Sequence, residues 1–252
     1  MSVQTLPLAS FEVRSQMPSF DSAAFSSHAL SSWQNLAAVL DHTLLKPEAT
    51  RSQVLSLCQE AAEYRFACAM VNPTWTALTA AALTGTGIPV GVVVGFPLGA
   101  SLASSKRDEA ERLLRLGAHE LDMVMNLGML KSGLYDAVHQ DIHSIAQLAH
   151  DSGAIVKVIL ETCLLSVEEK IRASEICLAA GADFVKTSTG FSTGGASAED
   201  ISLMRGVVGA HCGVKASGGI RSLADAQTML HAGATRIGAS SCVKIVRELG
   251  AH

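Results

Sequence analysis

From about residue 36 onward, the chain alternates short apolar segments with longer segments that have the pattern of amphipathic helices. Several of the apolar segments are almost continuous valine, isoleucine and leucine. Such runs are typical of parallel strands that are buried on both faces. The predicted strands are Ala37–Leu45, Phe66–Asn72, Pro89–Phe96, Glu120–Asn126, Ile155–Glu161, Phe184–Ser188, Gly213–Ser217 and Arg236–Ala239.

The helical segments between these strands carry recurring start and stop signals. The starts are Thr50–Gln53, Ser105–Asp108, Ser166–Glu169, Ser197–Asp200 and Ser222–Asp225, and the stops are Gly117, Gly153, Gly181 and Gly233. These signals lie between the eight predicted strands, so each strand is followed by a helix. Eight such units predict an α/β protein with a closed (β/α)8 TIM barrel. A doubly wound sheet is the alternative, but it would normally carry G-x-G-x-x-G after its first strand, and this chain has none there.

The chain length and composition suit one large domain with an N-terminal extension. With 252 residues, 48% of them hydrophobic, the chain can fill the core of a single barrel. Residues 1–32 lie outside the repeat and are rich in serine. We therefore predict a serine-rich extension over residues 1–32 and a barrel domain over residues 33–252. A short helix near residues 29–36 is expected to cover the barrel floor.

Charge and hydropathy argue against several classes of protein. A net charge of −4 and a pI near 6.1 do not fit a nucleic-acid binder, which usually has a basic face. No segment is long and apolar enough to span a membrane, and the N-terminus lacks the apolar run of a secretory signal. The six cysteines include no C-x-x-C pair, and no histidine spacing indicates a metal site. We therefore expect a cytoplasmic protein with reduced thiols and no metal.

Two lysines stand in neighbouring predicted strands that end in glycine and hydroxyl residues. Lys186 lies in the segment Phe184–Gly190, and Lys215 lies in the segment Gly213–Gly219. An amine in such an apolar setting is costly unless it is paired or neutral. Because two adjacent ammonium groups repel each other, one is expected to lose its proton near neutral pH. A neutral, desolvated lysine is the nucleophile that forms a Schiff base with a carbonyl.

Strand alternation predicts which polar side chains face the barrel interior. On the fourth predicted strand, the apolar residues Leu121, Met123 and Met125 suit the face that packs against the helices. Asp122 therefore faces the barrel interior. The same reasoning directs Lys186, Lys215 and Asp41 inward, and Thr43 shares the parity of Asp41. These groups can form either an active site or a structural charge network. Alternation on the fifth strand also allows Lys157 to face this interior, but no glycine-rich loop follows it, so it ranks below the other two lysines as nucleophile.

Two loops beyond the last strands have the composition of an anion site. Gly218 and Gly219 lead into the helix start at Ser222, and Ser240 and Ser241 open the last helix. Backbone N–H groups at helix starts after strands seven and eight are the usual phosphate site of such barrels. The sequence therefore predicts a phosphorylated substrate.

Six motifs in order make the chain similar to the deoxyribose-phosphate aldolases, class I aldolases with a (β/α)8 barrel. The similarity extends from about residue 36 to residue 248. The motifs are DHTLLKP at 41–47, VVGFPLG at 93–99, ELDMVMN at 120–126, KVILET at 157–162, KTSTGF at 186–191 and KASGGIR at 215–221.

The resemblance implies roles for individual residues. Lys186 would form the Schiff base, Lys215 would tune it and Asp122 would relay protons. The implied substrate-binding residues are Asp41, Thr43, Thr189, Gly190, Gly218, Gly219, Ser240 and Ser241. The implied reaction is reversible cleavage of 2-deoxy-D-ribose 5-phosphate to acetaldehyde and D-glyceraldehyde 3-phosphate, without metal or organic cofactor and in a homodimer or higher homo-oligomer.

One departure from the family pattern concerns the phosphate. Phe191 stands where some members carry a lysine. We therefore expect the phosphate to rest mainly on neutral N–H and hydroxyl donors. Two other functions stay open on the sequence alone. One is a sugar-phosphate isomerase with Asp41 and Asp122 as acid and base, and the other is an inactive barrel that only binds a sugar phosphate.

Overall fold

The computed structural model describes residues 19–252, which contain a closed barrel of eight parallel strands in the order β1 to β8. The strands are β1 Leu40–Leu44, β2 Cys68–Val71, β3 Val90–Val94, β4 Glu120–Val124, β5 Ile155–Ile159, β6 Phe184–Lys186, β7 Gly213–Ser217 and β8 Arg236–Ala239. Each observed strand lies within its predicted segment, so the (β/α)8 prediction is confirmed.

Helices connect the strands and surround the barrel. The α-helices are α1 Ser22–Ala29, α2 Trp33–Ala37, α3 Arg51–Tyr64, α4 Thr76–Leu83, α5 Ala103–Arg115, α6 Leu127–Lys131, α7 Tyr135–Asp151, α8 Val167–Ala179, α9 Ala198–Val208, α10 Leu223–His231 and α11 Cys242–Glu248. Two short 3₁₀ turns occupy Pro73–Trp75 and Thr162–Leu164. No helix in residues 19–252 is long and apolar enough to cross a membrane.

Most of the predicted helix signals have the expected geometry. Thr50, Ser166 and Ser222 form reciprocal capping boxes, and Ser197 caps α9 by accepting from the N–H of Asp200. The signal at Ser105 is wrong, because α5 begins at Ala103 and places Ser105 inside its first turn.

The four predicted stop glycines come just after helices α5, α7, α8 and α10. All four have positive φ, between 71° and 110°, a backbone region that favours glycine and ends a helix.

The main hydrophobic core lies between the barrel and its helices. Leu121, Met123 and Met125 belong to it, as alternation predicts. A second, smaller apolar cluster comprises Leu45, Cys68, Met70 and Val93, with Phe96 packed against it. The remaining inward positions are largely polar, and this division places the charged side chains inside the barrel.

Residues 19–39, the described part of the chain before β1, contain two helices instead of the single one expected near residues 29–36. Asp21 caps α1 and Ser32 caps α2, so the helix ends at Ala29 and restarts at Trp33. Helix α1 packs against α10 and α2 against α11, while Phe20 stacks on the guanidinium of Arg205. Residues 1–18 of the predicted extension lie outside the described residues, and its boundary at residue 32 stays a prediction.

Candidate active site

Parallel pairing aligns the predicted catalytic residues at neighbouring positions. Lys186 on β6 is the register partner of Lys215 on β7, and Asp122 on β4 is the partner of Lys157 on β5. Since side chains at paired positions point to the same face of the sheet, all four enter the barrel interior. The inward direction predicted from alternation is therefore confirmed, including that of Lys157.

Asp122 binds three lysines at once. Its Oδ2 lies 2.6 Å from Nζ of Lys186 and 2.7 Å from Nζ of Lys215, and its Oδ1 lies 2.8 Å from Nζ of Lys157. The carboxylate is fully buried. Asp122 therefore joins the predicted nucleophile to both neighbouring lysines.

A second group of charges surrounds this centre. Asp41 contacts Nζ of Lys215 at 2.5 Å and the guanidinium of Arg236 at 2.7 Å. Glu120 lies 2.5 Å from Nζ of Lys157 and 3.5 Å from Arg236. Neither Glu120 nor Arg236 was predicted from the sequence as a site residue. Glu120 shares the parity of Asp122, which is the signal that could have identified it.

Burial is the main cause of a lowered pKa at Lys186. Desolvation, opposed by Asp122 and reinforced by Lys215 and Lys157, lowers the pKa of this amine from 10.5 to about 8. The predicted direction is therefore correct, but repulsion by Lys215 is not the largest cause. A substantial fraction of Lys186 is neutral at mildly alkaline pH.

The carboxylates beneath Lys186 stay ionised despite their burial. Desolvation alone would raise the pKa of Asp122, but Lys157, Lys186 and Lys215 outweigh it and hold this pKa well below its usual range. At Asp41 the same balance, with Lys215 and Arg236 as the main cations, also lowers the pKa. In turn, Asp122, Glu120 and Asp41 overcome desolvation and raise the pKa of Lys157 well above its ordinary value.

A cavity of about 380 Å³ opens above Lys186. Six of the predicted substrate-binding residues line it: Thr43, Thr189, Gly190, Gly218, Gly219 and Ser240. Asp41 and Ser241 do not. Asp41 lies fully buried among the charges, and Ser241 occupies the N-cap position of α11 without a capping bond from its side chain. Of the buried ionised groups described above, only Lys186 lines the cavity.

Backbone geometry keeps open the side of this cavity where the sequence predicts an anion site. Gly190, Gly218 and Gly219 have φ values of 85°, 89° and 84°, which other residues rarely adopt. A side chain at Gly218 would approach Gly195 and Ser188 to 3.0 and 3.3 Å. Small residues at these turns keep the backbone close to any bound ligand.

The cavity is also lined by two cations, Lys46 and Arg221, that were not predicted from the sequence as site residues. Lys46 follows β1, and Arg221 follows the Gly218–Gly219 turn, and both side chains are exposed. Exposed cations therefore lie beside the neutral donors expected from the sequence, and a mainly neutral phosphate site stays a prediction. Phe191 lines the same cavity with its ring in edge contact with Phe96, at 5.3 Å between ring centroids.

A buried glutamate fixes the turn that follows Lys186. Glu161 accepts from the N–H of Thr189 at 3.3 Å and from its hydroxyl at 2.5 Å. The N–H of Phe191 donates to the same hydroxyl. Glu161 adopts a left-handed conformation with φ of 51°, which is costly for a residue other than glycine and is often retained at functional sites.

The structure also places His42 and one group of possible metal ligands. His42 does not approach the site, because it faces the helices, packs on Phe66 and contacts Glu60. Asp41, Cys68 and Glu120 have potential ligand atoms within 4.8 Å of one another. However, Lys157, Lys215 and Arg236 already bind the two carboxylates, so Asp41 and Glu120 belong to the ion network.

Comparison with known proteins identifies relatives along nearly the whole described chain. Residues 36–248 match the sequence profile described as DeoC/LacD family aldolase. Proteins named deoxyribose-phosphate aldolase are similar in Geobacillus sp. (strain WCH70), at 53% identity over 84% of this chain and 95% of the relative, and in Lysinibacillus sphaericus (strain C3-41), at 55% identity over 86% and 96%.

A solved structure agrees with this assignment. The tetrameric deoxyribose phosphate aldolase of Aeropyrum pernix superposes with a TM-score of 0.84 and 38% identity, covering 90% of this chain and 96% of that one. The aldolase class that the six sequence motifs resemble is also the class for which these relatives are named. The chain belongs to the DeoC/LacD family of aldolases.

Proposed function

We propose that this aldolase cleaves 2-deoxy-D-ribose 5-phosphate reversibly to acetaldehyde and D-glyceraldehyde 3-phosphate through a Schiff base on Lys186. The observation that carries the proposal is the position of Lys186. Its buried amine has a pKa lowered to about 8 and lies at the floor of a cavity whose upper wall carries glycine turns and two cations. Such a cavity suits a short aldehyde with an anionic end.

The chemistry requires one amine and a route for protons. Neutral Lys186 attacks C1 of the open-chain sugar, and loss of water from the carbinolamine gives an iminium. Removal of the C3 hydroxyl proton then breaks the C2–C3 bond and releases D-glyceraldehyde 3-phosphate. The bonding electrons pass into the iminium, which becomes an enamine. Protonation at C2 and hydrolysis release acetaldehyde and the free lysine, so no external electron acceptor is consumed.

The residues around Lys186 support this sequence of steps. Asp122 contacts both Lys186 and Lys215 through one oxygen, so protons can pass between the amines through this carboxylate. Lys215 contributes positive charge beside the nucleophile and is not itself the attacking group, since it does not line the cavity. Asp122 therefore acts as the relay, and Lys215 acts as the group that tunes Lys186.

A sugar-phosphate isomerase with Asp41 and Asp122 as acid and base is less well supported. Both carboxylates are fully buried and have lowered pKa values. Neither carboxylate lines the cavity, so neither reaches a substrate proton there, as direct general acid–base catalysis on a sugar phosphate requires.

We also propose that the enzyme is a cytoplasmic homo-oligomer. The tetramer named for the Aeropyrum pernix relative supports assembly. All six cysteines are free, and five of them are buried, as is common where thiols stay reduced. Measurement of the mass of the native protein in solution tests the assembly.

The test of the reaction is intact mass after treatment with acetaldehyde and borohydride. We expect one added ethyl group on Lys186, with loss of both the adduct and turnover in Lys186→Ala. An adduct on Lys215 or Lys157 in that variant, with turnover retained, would show that another lysine is the nucleophile. Turnover without any trapped adduct would instead favour non-covalent chemistry.

A further inference from the structure

The buried charges in the barrel do not balance when every group is ionised. Four cations, Lys157, Lys186, Lys215 and Arg236, face three carboxylates, Asp41, Glu120 and Asp122. Six of the seven side chains are at most 6% exposed, and Arg236 is 15% exposed. Excess charge is costly in such surroundings. The cluster becomes neutral when one amine loses its proton.

Contacts decide which cation can lose that proton. Lys157 binds three carboxylates, with Nζ 2.5 Å from Glu120, 2.8 Å from Asp122 and 3.7 Å from Asp41. Lys215 binds Asp41 and Asp122, and Arg236 binds Asp41 and Glu120. Lys186 has one carboxylate partner, Asp122, and shares it with two other lysines. It is therefore the cation with the least compensation.

We propose that Lys157 and Glu120 are positioning residues that set the charge count of the active site and thereby make Lys186 the neutral amine. Lys157 holds Oδ1 of Asp122 and directs Oδ2 toward Lys186 and Lys215, and it supplies the charge in excess of the carboxylates. Glu120 opposes that charge and holds Lys157 in place. This inference rests on the proposed function, in which Lys186 must be neutral to attack the substrate.

The other strands facing Lys186 add little to this balance. Strand β2 contributes Cys68, whose pKa burial raises well above its usual value, so the thiol is neutral. Strand β3 contributes no charged residue. Lys46 and Arg221 line the cavity above the amine, and Glu161 lies beneath the Thr189 turn. The lowered pKa of Lys186 agrees with the charge count, and Lys157 is among its causes.

The proposal predicts opposite pH shifts for two substitutions. Lys157→Met leaves three cations and three carboxylates with Lys186 charged, so the acid limb of kcat/KM should move upward by about one to two pH units. Glu120→Gln leaves an excess of two positive charges when every group is ionised. The acid limb of the kcat/KM profile should therefore move to lower pH by a similar amount. The double variant again has one excess charge and should return toward the wild-type profile.

The experiment measures kcat/KM for 2-deoxyribose 5-phosphate against pH and, separately, the rate of cyanoborohydride trapping with acetaldehyde. A purely structural role would lower both rates without opposite shifts and without compensation in the double variant. The matched control is Lys106→Met, because Lys106 is also fully buried and ion-paired, to Asp141 at 2.5 Å, but between α5 and α7. Its pH profile should stay at the wild-type position.

The outcomes separate this inference from the proposed function. The inference would be overturned if both single variants left the acid limb in place, or if both shifted it in the same direction. If Lys157→Met does not fold, Glu120→Gln and the double variant decide the question through the same comparison. Trapping on Lys186 in the unsubstituted enzyme tests the Schiff base by itself, so either idea can fail without the other.

Discussion

Lys186 and Lys215 donate to the same carboxylate oxygen, since their Nζ atoms lie 2.6 and 2.7 Å from Oδ2 of Asp122. The two lysines are register partners on adjacent strands. The shared oxygen compensates only part of their combined charge, so the ammonium group of Lys215 disfavours protonation of Lys186. Lys186 is the one of these two amines that lines the cavity, so this repulsion bears on the nucleophile proposed above.

Replacing Lys215 should raise the pKa of Lys186. In Lys215→Leu the repulsion is lost while Asp122 remains, so less of Lys186 is neutral at pH 7. Each unit of pKa corresponds to about a tenfold change in the neutral fraction. We expect kcat/KM at pH 7 to fall by about tenfold or more and the acid limb of the profile to move to higher pH. The measurement is kcat/KM for 2-deoxyribose 5-phosphate from pH 6 to 10.

Lys215→Arg is the matched control, because it keeps the positive charge next to Asp122. Its acid limb should remain close to that of the wild-type enzyme even if kcat falls. A Lys215→Leu enzyme with an unchanged profile would contradict the role given to this charge.

The lowered pKa of Lys186 should cost folding stability. Because burial lowers it from 10.5 to about 8, the unfolded chain binds more protons between these two values. The destabilisation is complete below pH 8 and disappears as the pH rises toward 10.5, amounting to about 3 kcal/mol at most. Lys186→Met should therefore be more stable than wild type at pH 7, with a smaller difference at pH 10.

Urea unfolding of both proteins at pH 7 and pH 10 measures this difference. Lys106→Met provides the contrast, since it leaves the buried Asp141 without its ion-pair partner and should lower stability at pH 7. If Lys186→Met also lowers stability at pH 7, the buried amine does not carry the cost assigned to it.

The cations at the cavity mouth should favour the phosphorylated sugar. Arg221→Leu is expected to lower kcat/KM for 2-deoxyribose 5-phosphate by about two- to tenfold, mainly through KM, because exposed charge pairs contribute modestly. The value for free deoxyribose should barely change. Phe191→Lys adds a cation to the same cavity and should raise the ratio of the two kcat/KM values.

Salt provides the control for this electrostatic effect. The advantage of Phe191→Lys should shrink as ionic strength increases, since exposed charges are screened. A ratio that stays flat in both variants would mean that neither side chain reaches the phosphate.

Glu161 should affect binding of the phosphorylated sugar more than chemistry. Its carboxylate holds the Thr189 turn that lines the cavity. Glu161→Gln keeps the side-chain shape but replaces one acceptor with a donor, and a hydrogen bond to a charged group contributes about 1.5–3 kcal/mol. We expect KM for 2-deoxyribose 5-phosphate to rise about tenfold with a smaller change in kcat.

Glu161→Gly removes the carboxylate and also relieves the backbone strain, since glycine adopts the left-handed conformation without cost. Comparison with Glu161→Gln therefore separates the effect of the carboxylate from that of the strain. Loss of binding in both variants supports the role of the carboxylate. Binding that survives in both would leave Glu161 as a structural residue only. Steady-state kinetics with phosphorylated and free deoxyribose distinguish these results.

Local patterns were sufficient to predict the barrel and the direction of its inward lysines. A capping box such as Ser166–Glu169 and a stop glycine such as Gly181 act within a few residues. Strand alternation likewise assigns each side chain to one face of the sheet. For that reason the strand positions and the inward direction of Lys186, Lys215 and Asp122 could be predicted from the sequence.

Contacts between distant strands depended on the closed barrel. Alternation turns Glu120 inward, but only the pairing of β4 with β5 and of β8 with β1 places it near Lys157 and Arg236. The depth of burial, which is the main cause of the lowered pKa of Lys186, likewise depends on all eight strands. Periodicity specifies the face on which a side chain lies, whereas its neighbours and solvation are decided by strand register and barrel closure.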